Sequence, residues 1–384
     1  MPLRILIAPS GFKESLGSSE VADCIESGIL RVIPDAKITK KPLVDGGEGF
    51  TRALVEATGG TIHDTEVTGP VGKKIQSHFG FLGDTERKTA VLEMSAAAGL
   101  RLVPRDSRDP LITSTFGVGE LIKAALDGGA EKILVGCGDS GTNDGGLGMA
   151  QALGIRFSDN KDNDLQRGGK SLEDLSHIDF TNIDPRLKNV KIDVACNWRN
   201  LLCGPQGVAT VFGPQKGSSP ETVARLKAGL ENYAAIIKKH LDLDVYEMPG
   251  GGASGGLGTG LYALLGAKLF PWIDIVLHYL NIDSFLEHTD LVITAEGSVD
   301  EQTLKGKIPY AVAQKAKVHY LPVITMAGTI GNNANLLYEH GIDAITGILE
   351  KPCSLSDAIR EAETLLTNSV ERTMRLVALG QILK

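Results

Sequence analysis

The sequence predicts an α/β protein of two domains: a discontinuous Rossmann-like (flavodoxin-like) parallel-sheet domain and an inserted second α/β domain. Three observations carry this expectation. Short apolar runs at both ends of the chain stop at glycine, helix-length segments separate them, and the middle is more polar and irregular, as in "SDNKDNDLQRGGKS". Alternating β and α units with functional loops leave this pattern. The expected division gives residues 1–70 and 286–384 to the Rossmann-like domain and 71–285 to the insertion.

The first run, "LRILIA", reads as a strand, followed by the loop "PSGFKESLGSS" and by Val21, Ile25 and Ile29 at helical spacing. "ITKKPL" is a second strand ending in the loop "VDGGEG". Near the other end, "DLVITAEG", "LPVITMAG" and "DAITGI" read as parallel strands. A last helix carries the stripe Ala358, Ile359, Ala362, Leu365, Leu366, Val370, Leu376 and Val377. Inside the insertion, Ser219 is placed to cap and Pro220 suits a first helical turn. Val223, Leu226, Leu230, Tyr233, Ile237 and Leu241 then form one face.

With 384 residues, 42% apolar and 22% charged, the chain is an ordinary globular one. A net charge of -8 without a basic block gives no footprint for nucleic acid or anionic membrane, so small molecules are the expected partners. The run "ILIAP" is too short for a signal peptide and reads as the first strand. Five cysteines without a CxxC pair argue against a disulfide framework and a zinc cluster, and fit a reducing cytoplasm.

Four glycine-rich loops carry the chemistry. In "KILVGCGDSGTNDGG", Gly136, Gly138 and Gly141 spell GxGxxG, with Asp159 near the place of a ribose-binding carboxylate. A cofactor helix starting there would contain Gly141, Gly145, Gly146 and Gly148, at about 1 kcal/mol each relative to alanine. The expectation is therefore a loop through Gly146, then about two turns over Leu147 to Leu153, then the strand "IRF". Such a loop offers backbone N–H groups for an anion, with Asn143 and Asp144 aimed at a ligand or metal. In "VDGGEGF", Asp45 and Glu48 suit magnesium or hydroxyl groups. "PGGGASGGLGTGL" has no charged side chain, so its use is backbone approach to a phosphate or tight helix packing. "LVITAEGSVDEQTLKGKIP" sets Glu296, Asp300, Lys305 and Lys307 in one segment after a strand, which suits phosphoryl transfer. No Walker A motif is present: the glycine that "RGGKS" would need falls at Asp164.

Taken in order, "APSGFKESL", "PLVDGGEG", "SGTNDGGLG", "VFGPQKG", "PGGGASGGLG" and "LVITAEGSVDEQTLKGKIP" resemble the bacterial glycerate kinase family of the type-1 class nearly end to end. The resemblance implies an ATP- and Mg2+-dependent kinase phosphorylating D-glycerate, commonly at the 2-hydroxyl. It carries over Lys13, Asp45, Glu48, Asn143, Asp144, Lys216, Glu296, Asp300 and Lys307 as candidates. Two segments depart from the family pattern. "ACNWRNLLCG" stands where many relatives have "ACDVDNPLCG", so Asn197 and Arg199 replace carboxylates. "PSGFKE" replaces "PDSFKG", with Ser10 for aspartate.

The expected reaction is in-line transfer from ATP to a small hydroxy acid in an interdomain cleft, yielding 2-phosphoglycerate. Asp144 is the expected base or orienting group, with Lys13, Asn143 and Lys307 as the other catalytic candidates and Glu296 and Asp300 as magnesium ligands. Substrate or nucleotide contacts are expected from Asp45, Glu48, Arg199, Asn200, Lys216, Gly251, Gly252, Ser254 and Gly255. The rivals are an NAD-dependent hydroxy-acid dehydrogenase, resting on GxGxxG and Asp159, and a non-catalytic sugar-acid binding protein, resting on the lost carboxylates.

Overall fold

The computed structural model describes residues 2–12, 15–44, 46–83 and 85–382, with side chains described as far as residue 380. The backbone forms two compact units, Met1–Val44 with Val276–Lys384, and Asp45–Ile275. Among the described residues the first strands are β1 (Arg4–Ile7), β2 (Lys37–Lys40), β3 (Thr61–Thr68), β4 (Lys74–Phe81), β5 (Thr89–Glu93) and β6 (Lys132–Cys137). Then follow β7 (Arg156–Ser158), β8 (His177–Asp179), β9 (Lys191–Cys196), β10 (Lys268–Pro271), β11 (Leu291–Val299), β12 (Val323–Ile330) and β13 (Ala344–Gly347).

The two-ended unit holds one sheet in the order β13-β12-β11-β1-β2, with every pair parallel. This is the flavodoxin-like arrangement the terminal runs predict. Residues 5–7 of β1 and 291–295 of β11 are buried without a break because helices cover both faces of a parallel sheet. The helix Ser18–Leu30 buries Val21, Ile25 and Ile29 against the C-terminal helix Ala362–Ile382. A Cβ on Gly28 would stand 2.7 Å from both Thr367 O and Val370 Cβ, so glycine sets how closely these helices approach.

The C-terminal stripe differs from its expectation. The helix breaks at Glu361, leaving Leu355–Arg360 and Ala362–Ile382 as separate pieces. The longer piece buries Ala362, Leu366, Val370 and Met374, while Leu376 is 71% exposed. Thr367, Ser369 and Thr373 are buried as well, so the buried face keeps three- and four-residue spacing, turned away from Leu376.

The other unit is built on a sheet ordered β10-β9-β6-β5-β4-β3, parallel from β5 to β10 and antiparallel from β5 to β3. Residues 45–70, expected with the terminal domain, supply the helix Phe50–Thr58 and β3 to this unit. The reason is the hairpin: β3 pairs with β4 from Thr61↔Phe81 to Thr68↔Lys74. The helix Pro220–Leu241 starts as predicted, with Ser219 Oγ accepting from Thr222 N at 3.2 Å. It buries Leu226, Leu230, Tyr233 and Ile237, of which the three aliphatic side chains contribute about 1.5–3 kcal/mol each. The short helix Leu147–Ala152 and the strand β7 also form, but β7 pairs antiparallel with β8 instead of joining the main sheet. No helix among the described residues is long and apolar enough to cross a membrane.

Candidate active site

Ligand-binding loops of open α/β sheets lie at the carboxyl ends of the parallel strands. In the unit 45–275 these are the loops after β5, β6 and β9. The glycines of GxGxxG serve packing there. A Cβ on Gly136 would reach 2.6 Å from the Phe50 ring, and one on Gly138 2.6 Å from Gly47 Cα. Asp139, in the left-handed region at φ 50°, accepts from Glu48 N at 2.9 Å. Glu93, buried at the end of β5, accepts from Gly49 N at 3.1 Å and Thr51 N at 2.8 Å, which caps the helix Phe50–Thr58. Burial lifts the Glu93 carboxyl above its usual range, and these N–H bonds oppose the shift.

Beyond Asp139 the loop is organised by two buried charges. Asp144 accepts from Thr115 N at 2.8 Å, from Thr115 Oγ1 at 2.9 Å, and from Gly146 N and Gly148 N at 3.2 Å. Burial raises its carboxyl, and the same hydrogen bonds pull it back. Lys216 Nζ donates to Ser140 Oγ at 2.9 Å, Thr142 O at 2.6 Å and Asn143 Oδ1 at 2.8 Å. Burial pushes the Lys216 ammonium down to about 7, opposed by the charge of Asp144.

The bond from Lys216 fixes the Asn143 amide, whose oxygen is taken. Asn143 Nδ2, Thr142 Oγ1 and Tyr233 OH are then buried with no hydrogen-bond partner among the described residues. Buried polar groups are nearly always paired, so such a cluster calls for an explanation. An oxygen-rich ligand accepting from Asn143 Nδ2 supplies one.

The loops at 197–204 and 249–260 lie against this centre. Trp198 O accepts from Gly250 N at 3.0 Å and Asn200 O from Gly252 N at 2.9 Å. Arg199 is exposed in a turn closed by its own N–H on Asn197 Oδ1 at 3.1 Å. Of the candidates in the third glycine loop, Gly252 and Gly255 are required by packing. Their Cβ atoms would fall 2.0 Å from Leu201 O and 1.9 Å from Thr142 O. Gly251 is also close-packed, 2.9 Å from Thr259 Oγ1 by the same construction. Ser254 holds a left-handed φ of 52°, with its hydroxyl beside the buried Cys137 thiol.

Three further candidates belong to the two-ended unit. Glu296 lies on β11, half-buried. Asp300 Oδ1 accepts from Gln302 N at 2.8 Å, capping the turn Glu301–Lys305. Lys307 Nζ donates to Ser298 O at 3.1 Å just before the helix Ile308–Val318. Glu48, in the other unit, pairs at 3.2 Å with Arg101. Lys13 and Asp45 lie outside the described residues.

Residues 5–378 match the profile of the Glycerate kinase family. The chain belongs to the glycerate kinase family. A protein of Bacillus subtilis (strain 168) named "Glycerate kinase" is 46% identical over 376 residues, covering 98% of this chain and 97% of that one. The "Glycerate 2-kinase" of Escherichia coli (strain K12) is 44% identical over 98% and 99% of the two chains. The crystal structure of "putative glycerate kinase 2 from Salmonella typhimurium LT2" superposes with a TM-score of 0.85 at 44% identity, covering 100% of both chains.

As a member of the glycerate kinase family the chain is an enzyme, a kinase with a mixed α/β fold. Sequence reasoning overlooked four groups that shape its glycine loops: Glu93, Thr115, Asp139 and Ser140. Only Glu93 left a usable signal, a lone carboxylate at the end of the buried run "TAVLE". Tyr233 belongs to the apolar face of the helix Pro220–Leu241, and its ring also covers the loop: a Cβ on Gly145 would stand 2.7 Å from Tyr233 Cε1.

Proposed function

We propose that this kinase transfers the γ-phosphoryl group of ATP to the 2-hydroxyl of D-glycerate, giving 2-phosphoglycerate and ADP. The observation that carries the reading is the oriented Asn143 amide: Lys216 holds its oxygen, and its Nδ2 donor is buried without a partner among the described residues. An ammonium and a fixed amide donor in a low-dielectric site favour an anionic oxygen, whether of a carboxylate or of the transferring phosphoryl group. Thr142 Oγ1 adds a second donor on the same loop.

Asp144, expected as the base, already has its oxygens engaged by Thr115, Gly146 and Gly148. In this reading it shapes the loop and supports the charge of Lys216. A loose phosphoryl transfer depends on positioning and charge stabilisation, so a structural carboxylate there is no obstacle. The two-ended unit contributes Lys307 for the phosphates, with Glu296 and Asp300 as carboxylates. Magnesium held through ATP needs only one or two protein carboxylates, and this pair fits that donor set. When bound, magnesium neutralises charge on the phosphate oxygens. The setting proposed is cytoplasmic, with small molecules as partners.

A coupled ADP-release assay over a panel of hydroxy acids, with phosphorus NMR of the product, tests the reading. D-Glycerate should give ADP and a phosphate ester on carbon 2. Absence of ADP release with D-glycerate would overturn the assignment, and a carbon-3 ester would overturn its regiochemistry.

A further inference from the structure

We propose that a cavity at the carboxyl edge of the five-stranded sheet binds the adenosine half of ATP, with Lys307 at its phosphate end. This rests on the kinase reading above and adds where in the fold the nucleotide is held. The cavity has a volume of about 610 Å³, and every described residue lining it belongs to the two-ended unit.

Its position follows from the topology. In the order β13-β12-β11-β1-β2 the chain first adds β2 on one side of β1, then β11 on the other, so the order reverses between β1 and β11. Open α/β sheets take their ligands in the crevice at such a switch point, outside the carboxyl ends of the strands. Gly11 and Phe12 enter the cavity from the loop after β1, and Glu296, Gly297 and Ser298 from β11.

Wall chemistry selects the ligand class. Phe12, Ile348, Leu349, Ala358, Ile359 and Ala362 make apolar walls. The charged groups among the described lining residues gather on the β11 side, where Lys307 Nζ meets Ser298 O at 3.1 Å and Glu296 lies two residues earlier on the strand. Leu349 and Leu355 also line the cavity although 43% and 75% exposed, and burial by a ligand would account for apolar groups left in solvent. A purine has two broad apolar faces and a charged tail at one end. A three-carbon acid has no apolar face to bury and needs far less than this volume. The small polar cluster of Ser140, Thr142, Asn143 and Lys216 suits the acid instead.

Two measurements on the full-length enzyme test the site. Ala358 is half-buried on the short helix Leu355–Arg360, so Ala358→Trp should fill the cavity with little cost to the core. Its KM for ATP should rise at least about tenfold, with the KM for D-glycerate within about twofold of wild type. An unchanged KM for ATP in folded Ala358→Trp, checked by thermal unfolding, overturns the site. Independently of any variant, photolabelling of wild type with 8-azido-ATP should modify residues 348–362 and be blocked by ATP. Label absent from that segment overturns the site even where Ala358→Trp fails to fold. Wild type that releases no ADP with D-glycerate overturns the kinase reading itself, an outcome distinct from either of the others.

Discussion

Lys216 Nζ donates to the side-chain oxygen of Asn143 at 2.8 Å, and that bond decides which end of the Asn143 amide is left to meet a substrate. An amide is symmetric in shape but not in chemistry. With its oxygen taken by an ammonium, it presents N–H donors, and an anionic substrate needs donors.

Asn143→Asp isolates this point. The new carboxylate still accepts from Lys216, but it buries a further charge beside Asp144 at a desolvation cost that the pair does not fully offset, so the melting temperature should fall modestly. The Nδ2 donor becomes an acceptor, and kcat/KM for D-glycerate should fall at least about a hundredfold, comparable to loss of a preorganised donor. Near wild-type turnover in this variant would remove Asn143 from the substrate site.

Lys216 also links stability to pH. Burial lowers its folded-state pKa to about 7, below the value near 10.4 of an exposed lysine. Between these two values the unfolded chain binds the proton that the fold tends to release, so the Lys216 contribution to stability rises with pH from about 7 upward. Lys216→Met lacks this group and should lose the rise. The check is a pair of denaturant titrations at several pH values from 6 to about 9.5, comparing wild type with Lys216→Met. Parallel pH profiles for the two proteins would show that Lys216 keeps an ordinary pKa. At pH 7 the variant should be the less stable, because Ser140 Oγ, Thr142 O and Asn143 Oδ1 each lose a partner at about 1–3 kcal/mol.

A third expectation concerns only the fold. Gly28→Ala places a methyl group 2.7 Å from Thr367 O and Val370 Cβ, forcing the helices Ser18–Leu30 and Ala362–Ile382 apart. Overpacking of this kind costs about 1–3 kcal/mol, against a helix-propensity gain of up to about 1 kcal/mol for replacing glycine. Urea denaturation should therefore show a net loss, with KM values for both substrates unchanged. A stabilised Gly28→Ala would mean that the C-terminal helix yields at that contact.

The strands near the C-terminus were legible because each is a short apolar run closed by glycine, whereas β2, with Lys37 and Lys40 at its ends, was legible only from its place between the first helix and the loop that follows it. The membership of the Asn143–Lys216 pair was legible only through motif resemblance. The residues stand far apart in the chain, and nothing local in "VFGPQKG" says that its lysine is buried. The roles of the glycines were not legible. Gly255 and Gly252 read equally well as phosphate contacts or close packing, and it is the folded chain that puts Thr142 O and Leu201 O in the space a side chain would need. Thr115 left no trace, because its value lies in a hydroxyl that donates to Asp144 and accepts from Met149 N at 3.0 Å.

That hydroxyl gives the means to separate two roles for Asp144. A base must reach the substrate, whereas a carboxylate that shapes a loop acts through the groups donating to it. Asp144→Asn replaces one oxygen with an amide nitrogen, setting a donor against the N–H groups of Thr115, Gly146 or Gly148. Each donor left unpaired in this buried site costs about 1–3 kcal/mol, so the variant should unfold at clearly lower denaturant. Thr115→Val removes one donor to Asp144 without touching the carboxylate. For a loop-shaping role, Thr115→Val should reproduce a large part of both losses, in stability and in kcat, with an unchanged pH profile of kcat. For a catalytic base, Thr115→Val should stay near wild-type turnover while Asp144→Asn alone loses two or more orders of magnitude in kcat. The hydrogen bonds observed at Asp144 favour the first outcome, and steady-state kinetics of the two variants across pH 6 to 9 decide between them.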